Sequence, residues 1–139
     1  AYERFLISYP EDQQRNKILV SMGELNEETK EYEAALKNYE MIPAESSESF
    51  DAYLAMGRLY KLLKLPNKEL SVYEKLRQKT PVDNDVRISG MVTLAEVYQE
   101  LGKIDSSISV YEDIAQNAAN PEWRNAAKER ARILRTEVR

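Results

Sequence analysis

The sequence has no cysteine and no histidine among its 139 residues. Without cysteine it has no disulfide framework, no thiolate nucleophile and no cysteine-ligated zinc site. Without histidine it has no Ser-His-Asp triad. Only four glycines and five prolines are present, which argues against a turn-rich β protein. The missing residue types therefore exclude the commonest hydrolytic and metal sites, and they leave the redox compartment undecided.

Long apolar segments and an excess of positive charge are also missing. No apolar run approaches the roughly 18 residues of a transmembrane helix, so the sequence predicts no membrane insertion. Residues 1–4 are not a basic leader followed by an apolar stretch, so we expect no signal peptide. The net charge is −4, from 20 basic and 24 acidic residues, whereas proteins that wrap phosphate backbones are usually basic. We therefore expect no nucleic-acid partner.

The sequence does contain an internal repeat. One landmark is a tyrosine that comes three residues before a large apolar residue, at Tyr39, Tyr73 and Tyr111. A second landmark is a small residue that follows a large apolar one, at Gly23, Gly57 and Ala95. Both sets are separated by 34 and then 38 residues. Two landmarks that shift together predict a repeat, with four extra residues in the polar stretch 81–85.

Each repeat carries two apolar stripes with steps of three and four residues. In the second repeat, the stripes are Phe50, Tyr53, Met56, Gly57, Tyr60, Leu63, and then Leu70, Tyr73, Leu76. Such stripes are typical of helices that face a core rather than of strands. Pro66 suits the first turn of a helix, and Gly102 can end one in the left-handed conformation. The repeats are therefore predicted to be helix–turn–helix pairs.

These pairs resemble the tetratricopeptide repeat (TPR). The second copy is the most similar and has the family's signature residue types at Tyr53, Met56, Gly57, Tyr60, Tyr73 and Pro81. The resemblance implies an all-α fold, a right-handed α-solenoid of antiparallel helix pairs in a TPR-like superhelix. It implies a single domain over 1–139, with a half repeat at 1–10, repeats at 16–45, 50–81 and 86–119, and a capping helix at 121–138. The half repeat predicts that the array continues before residue 1.

Several positions carry specific packing expectations. Gly23, Gly57 and Ala95 are expected where the two helices of a pair cross closely. The repeated tyrosines are expected to fill the seam between one pair and the next. Three residues depart from the family pattern, namely Asn26, Glu69 and Ser107. Because an unpaired buried carboxylate is costly, we expect Glu69 to reach solvent or an arginine or lysine.

No catalytic arrangement is evident in the sequence. The densest acidic cluster is Glu24, Glu27, Glu28, Glu31 and Glu33. It straddles the end of one helix and the start of the next, so the side chains are predicted to fan outward on a solvated face. Phosphate-binding loops, HExxH motifs and calcium loops are missing as well. We therefore expect no enzyme activity, no cofactor and no metal site.

The strongest binding hypothesis is a groove for a peptide. In stacked helical pairs, the first helix of each pair lines the concave wall. The predicted wall consists of Lys17, Val20, Glu24, Glu27, Asp51, Leu54, Arg58, Lys61, Ser89, Val92, Glu96, Gln99, Arg124 and Lys128. Val20, Leu54 and Val92 would form an apolar strip, with Arg58 and Lys61 available to an acidic group. The alternative is a solvated face without a ligand.

A binding clamp for chaperone tails, which some members of the family carry, is not expected. In place of the clamp's lysines and asparagines, the corresponding wall offers Val20, Glu24, Leu54, Ala55, Val92 and Glu96. The basic helix at 121–138 has few bulky apolar residues, and a structural cap is favoured there over a membrane-surface helix.

The sequence thus predicts a non-catalytic scaffold with an unidentified protein or peptide partner. The alternative is a homo-oligomer that assembles by stacking its repeat ends. Exposed apolar area at Tyr2 and Phe5 would favour stacking, and exposed area at Val20, Leu54 and Val92 would favour groove binding. The tyrosine-rich helices look like those of bacterial repeat proteins. Many of these act in the cell envelope and others in the cytoplasm, so periplasmic and cytoplasmic locations are both left open.

Overall fold

The computed structural model describes residues 14–78 and 85–137, and this part of the chain contains helices and no strands. Its helices are α1 (Gln14–Glu28), α2 (Tyr32–Glu40), α3 (Ser49–Leu62), α4 (Pro66–Arg77), α5 (Asp85–Glu100), α6 (Ile104–Asn117) and α7 (Pro121–Glu137). The predicted all-α class is therefore confirmed for these residues. The predicted half repeat at 1–10 lies outside them.

The helices form two compact units. The first unit is Ala1–Leu63 and the second is Lys64–Arg139. In the first unit α1 packs against α2 and α2 against α3, while in the second α4 packs against α5, α5 against α6 and α6 against α7. The predicted repeat at 50–81 therefore contributes its first helix to one unit and its second helix to the other. The solenoid arrangement of the three repeats stays a prediction.

The turns that follow α1 and α5 have the same hydrogen bonds. After α1, the Lys30 amide donates to the Glu27 carbonyl at 3.0 Å and the Glu31 amide to the Asn26 carbonyl at 2.7 Å. The turn after α5 repeats both bonds at 3.0 and 2.8 Å, with Gly102 in the place of Lys30. Paired bonds of this kind form a Schellman motif, which satisfies the last carbonyls of a helix. Gly102 has a φ of 76°, so the predicted left-handed helix end is confirmed.

Two helices begin as their sequences predict. Pro66 occupies the first turn of α4, where the missing amide hydrogen costs nothing. Asn120 caps α7, because its Oδ1 accepts a hydrogen bond from the Glu122 amide at 2.8 Å. The Glu122 carboxylate lies in the first turn of α7, at the positive end of the helix dipole.

In the first unit, α1 and α2 approach closely at Gly23. A Cβ atom at this position would lie 2.5 Å from Cε1 and Cζ of Tyr39, so only glycine fits. Asn26, which departs from the family pattern, forms a polar pair across the same two helices, accepting a hydrogen bond from Asn38 at 2.7 Å. The expected close crossing at Gly23 is therefore present.

In the second unit, Ser107 and Glu69 replace the small apolar residue that the family pattern expects. Ser107 is fully buried, and its hydroxyl donates to the Ala95 carbonyl at 2.8 Å, so α6 gains a hydrogen bond to α5. The Glu69 side chain is also buried, with 4% of its surface exposed. Of the two alternatives expected for Glu69, exposure to solvent is therefore wrong, and contact with an arginine or lysine stays a prediction.

The glutamate that follows each repeated tyrosine joins its helix to a later one. Glu40 on α2 accepts a hydrogen bond from Tyr60 on α3 at 3.5 Å, within the first unit. In the second unit, Glu74 on α4 accepts one from Tyr98 on α5 at 2.7 Å. Glu112 on α6 instead pairs with an arginine of α7, Arg135. In each of these Tyr-Glu pairs, therefore, the tyrosine lies in the core and the glutamate bonds to a neighbouring helix.

Arg77 also links two helices within the second unit, α4 and α6. Its Nε atom lies 3.1 Å from Oδ2 of Asp113, and Nη2 donates to the Ser109 hydroxyl at 3.1 Å. Both charged side chains are largely buried, with 22% and 27% of their surfaces exposed. Partial burial and the additional hydrogen bond make this pair stronger than an exposed ion pair.

Candidate functional site

In the first unit, the predicted wall residues lie on α1 and α3. The charged members Lys17, Glu24, Asp51, Arg58 and Lys61 are exposed, whereas the apolar members Val20 and Leu54 are half-buried. The side chains are therefore accessible to solvent, although their role in binding stays a prediction.

Arg58 is already paired with a carboxylate. Its Nη2 atom lies 3.7 Å from Oε1 of Glu27, and the other oxygen of Glu27 accepts a hydrogen bond from the Tyr39 hydroxyl. Burial and this bond raise the pKa of Tyr39 well above its ordinary value. Arg58 keeps 60% of its side chain exposed, and such exposed pairs are weak. An acidic ligand at Arg58 would therefore compete with Glu27.

Glu31, another member of the acidic cluster, is engaged separately from Glu27. Glu31 accepts a hydrogen bond from the Thr29 hydroxyl at 2.8 Å, whereas Glu27 binds Tyr39 and Arg58. The described residues contain no group of three or more acidic side chains placed to hold a metal ion.

In the second unit, two of the predicted wall residues line an open pocket of about 190 Å³. The pocket lies among three helices, and its lining consists of Val92 and Glu96 from α5, Tyr111 and Ile114 from α6, and Trp123, Ala126, Ala127 and Arg130 from α7. Glu96, Ala126 and Arg130 are exposed at its mouth, and Tyr111 is only 2% exposed. The pocket is therefore a mostly apolar site with one charge of each sign at its entrance.

Tyr111, one of the lining residues, has a buried hydroxyl group. It is shielded from solvent and has no hydrogen-bond partner among the described residues. A buried hydroxyl without a partner carries a desolvation cost.

The predicted wall residues of α7 lie elsewhere. Arg124 donates from Nη1 to the carbonyls of Ala118 and Ala119 at 2.8 and 2.7 Å, so it satisfies carbonyl groups beyond the end of α6. Lys128 lines a second groove, between α6 and α7, together with Glu112 and Arg135. Ser89 and Gln99 lie on α5 but are not part of the pocket lining. The structure thus brings together Val92 and Glu96 but not the other predicted members of this unit.

The sequence prediction missed three of the residues that define the pocket, namely Tyr111, Trp123 and Arg130. The sequence predicts that Tyr111 fills a seam between helix pairs, and it predicts no binding role for Trp123 or Arg130. A signal was nevertheless present. α7 carries Ala126 and Ala127, where α3 and α5 carry Met56 and Leu94 followed by a small residue. Two small side chains in succession leave space beside a helix.

The apolar side chains most exposed among the described residues lie outside both predicted surfaces. They are Leu25, Met41, Leu62, Leu63, Leu65 and Leu101, mostly at helix ends and turns. Tyr2 and Phe5 lie outside the described residues. Stacking through the N-terminal end, which exposed apolar area at these two residues would favour, therefore stays a prediction. None of the described helices combines the length and apolar character needed to cross a bilayer.

Comparison with known proteins identifies no relative. No protein-family model matches the chain significantly, and no curated protein and no solved structure does so either.

Proposed function

We propose that this chain is a non-catalytic protein-interaction module of the tetratricopeptide-repeat type, and that it binds a peptide segment of a partner. In this proposal the helix pairs form a right-handed solenoid, and the first helices of the pairs line the binding face. The observation that carries the proposal is the open pocket beside α5. It combines predicted wall residues Val92 and Glu96 with an aromatic and a cationic side chain of α7, Trp123 and Arg130.

The character of the pocket favours binding over catalysis. Its surface is mostly apolar, with a few polar groups at defined places, as is usual for recognition sites. Its only lining side chains that carry a charge at neutral pH are Glu96 and Arg130. General acid–base catalysis needs a proton donor and acceptor held at the reacting group, and the pocket lining contains a single carboxylate and no histidine.

Peptide selection followed by a matched pair of variants tests the proposal. Peptides selected from a random library on the wild-type chain would be titrated calorimetrically against Glu96→Arg and Glu100→Arg. Both glutamates are exposed on α5, but only Glu96 lines the pocket. We expect Glu96→Arg to weaken binding about tenfold and Glu100→Arg to change it less than about twofold.

Two outcomes would contradict the proposal in different ways. Failure to select any binding peptide would remove the binding function itself. Equal effects of the two variants would remove the pocket as its site. A loss of binding in the Arg58→Glu, Lys61→Glu double variant instead would assign the same function to the exposed face of α3.

A further inference from the structure

The residues that line the pocket of the second unit have counterparts in the first unit. Every lining position has an equivalent 72 residues earlier in the chain, a distance that spans one 34-residue and one 38-residue step of the repeat. The residue type is the same at six of the eight positions, namely Val20 and Val92, Glu24 and Glu96, Tyr39 and Tyr111, Ile42 and Ile114, Ala55 and Ala127, and Arg58 and Arg130. The same shell of side chains is therefore present twice, once within the span of α1 to α3 and once within that of α5 to α7.

The structure gives the two members of each pair the same exposure to solvent. In both units the tyrosine, the isoleucine and the alanine are buried, the valine is half-buried, and the glutamate and the arginine are exposed. In the first unit, burial is the main cause of the raised pKa of Tyr39, and the charges of Glu24 and Arg58 lie close enough to act on it as well. The two shells are therefore equivalent in burial as well as in sequence.

The two positions that differ account for the open pocket of the second unit. Trp123 is the equivalent of Asp51, and Ala126 on α7 is the equivalent of Leu54 on α3. Lining and burial both follow this register, in which Ala126 corresponds to Leu54 rather than to Met56, the counterpart that the order of large and small residues indicates. Leu54 is half-buried, whereas Ala126 is exposed at the pocket mouth. Alanine lacks the isopropyl group that leucine carries beyond Cβ, so the second unit has open space where the first has an aliphatic side chain.

We propose that this pocket binds a leucine side chain of a partner polypeptide, in the place that corresponds to Leu54 of the first unit. Trp123 in the position of Asp51 adds an apolar wall, which favours an apolar occupant. An apolar cavity of about 150 Å³ holds benzene, so this pocket of about 190 Å³ is large enough for the side chain of leucine. The inference rests on the proposed function and specifies the chemistry of its partner.

Three small probes test the leucine anchor directly. Trp123 is the single tryptophan of the chain, so its indole N–H gives one assignable NMR signal at the pocket. The probes are N-acetyl-leucinamide, N-acetyl-asparaginamide, which has nearly the same shape but a polar side chain, and N-acetyl-phenylalaninamide. Fragments of this size bind in the millimolar range, so each would be titrated to about 20 mM. We expect the leucine probe to bind about tenfold more tightly than the asparagine probe, and more tightly than the phenylalanine probe.

A variant that restores the residue of the first unit should close the pocket. Ala126→Leu introduces the side chain that Leu54 provides in the first unit, and the chain should fold because Ala126 is exposed and leucine is a good helix former. We expect this variant to bind N-acetyl-leucinamide at least about tenfold more weakly. Asn125→Leu is the matched control, because Asn125 is the exposed neighbour on α7 and does not line the pocket. It should change the affinity less than about twofold.

The reverse change should create a second site in the first unit. Asp51→Trp combined with Leu54→Ala makes all eight positions of the first shell identical to those of the second, and it adds a second indole N–H signal. We expect both indole signals to titrate with N-acetyl-leucinamide, with dissociation constants within about threefold of each other. Asp51→Trp alone is the matched control, because the leucine then stays in place, and its added indole signal should not titrate.

The remaining outcomes also decide the inference. Equal affinities for the leucine and asparagine probes, tighter binding of the phenylalanine probe, full binding to Ala126→Leu, or an unchanged Trp123 signal would overturn the leucine anchor. A folded double variant without a second response would contradict the equivalence of the two shells. Peptides selected from a library could still bind in these cases, so the proposed function would be judged separately. If the Trp123 signal shifts with protein concentration alone and light scattering detects a dimer, a second copy of the chain occupies the pocket, and the assignment to a foreign partner is wrong.

Discussion

Lys30, Lys64 and Gly102 adopt the same left-handed backbone conformation, with φ of 62°, 59° and 76°. They are separated by 34 and 38 residues, the spacing of the repeated tyrosines. This conformation is unfavourable for a residue with a Cβ atom and costs roughly 1 kcal/mol. The same backbone conformation therefore recurs at the repeat spacing, and at Lys30 and Lys64 it is adopted by a residue that disfavours it.

Removing the glycine from one of these turns and introducing a glycine into another should change stability in opposite directions. Gly102→Ala should lower the free energy of unfolding by about 1 kcal/mol, because only the backbone is strained and no atom lies within 4 Å of the new Cβ. Lys30→Gly should raise it by up to about 1 kcal/mol. Denaturant titrations followed by circular dichroism measure both. A change of the same sign in the two variants would contradict this explanation.

Gly23 requires the absence of a side chain for a different reason, which is the close contact between helices. An alanine at position 23 would place its Cβ against the ring of Tyr39, which is 2% exposed and hydrogen-bonded to Glu27. We expect Gly23→Ala to destabilise the chain by about 1–3 kcal/mol, despite a helix-propensity gain of about 1 kcal/mol.

Glu24→Ala is the control for this prediction, since it introduces the same residue one position later on the exposed side of α1. It should change stability by no more than about 0.5 kcal/mol. A more stable Gly23→Ala variant would show that the tyrosine ring can move away.

At the scale of helices, part-buried tyrosine–glutamate hydrogen bonds join neighbouring helices within each unit. In the second unit, Tyr98 on α5 donates to Glu74 on α4 at 2.7 Å. Burial, followed by this bond and the charge of Glu74, raises the pKa of Tyr98 from 10.0 to about 12. The contact between α4 and α5 thus depends on the neutral form of the tyrosine.

The Tyr98–Glu74 hydrogen bond should weaken at alkaline pH. Between pH 10 and about 12 the unfolded chain loses the Tyr98 proton while the folded chain keeps it, so the stability falls as the pH rises. At pH 8, Tyr98→Phe should be less stable than wild type by about 1 kcal/mol, through loss of the hydrogen bond. We expect the difference to disappear by about pH 12. Melting curves of both proteins from pH 8 to 12 measure it, and parallel declines would contradict the assignment.

For the whole molecule, charge balance is the property that most restricts partners. The net charge of −4 contrasts with α7, whose sequence carries Arg124, Lys128, Arg130, Arg132 and Arg135. Several of these charges are engaged. Arg124 donates to carbonyl groups, and Arg132 and Arg135 pair with Glu129 and Glu112. The basic helix therefore offers fewer free charges than its sequence indicates.

We accordingly expect no significant binding to nucleic acid. Non-specific DNA binding at physiological salt has dissociation constants of about 10⁻⁴ to 10⁻⁶ M and weakens steeply as salt rises. Fluorescence anisotropy of a labelled duplex should show no saturable binding up to about 100 µM protein. Saturable, salt-sensitive binding would contradict this prediction, and its loss in Lys128→Glu would assign it to α7.

The sequence by itself determined the helical content, the turn at Gly102, the starts of α4 and α7, and the tight packing at Gly23. These features depend on interactions within a few residues, such as caps, apolar periodicity and backbone preference, or on a small residue at a repeated position. The local sequence therefore contains most of the information that specifies them.

Only the tertiary structure decided which side chains meet. Val92 and Glu96 line a pocket with Trp123 because α5 and α7 both border α6, while Lys128 faces another groove and Arg124 binds carbonyl groups. Glu69 is buried although its charge favours the surface. Such outcomes depend on the reach of long side chains and on the faces that separate helices present to each other, and a local pattern in the sequence encodes neither.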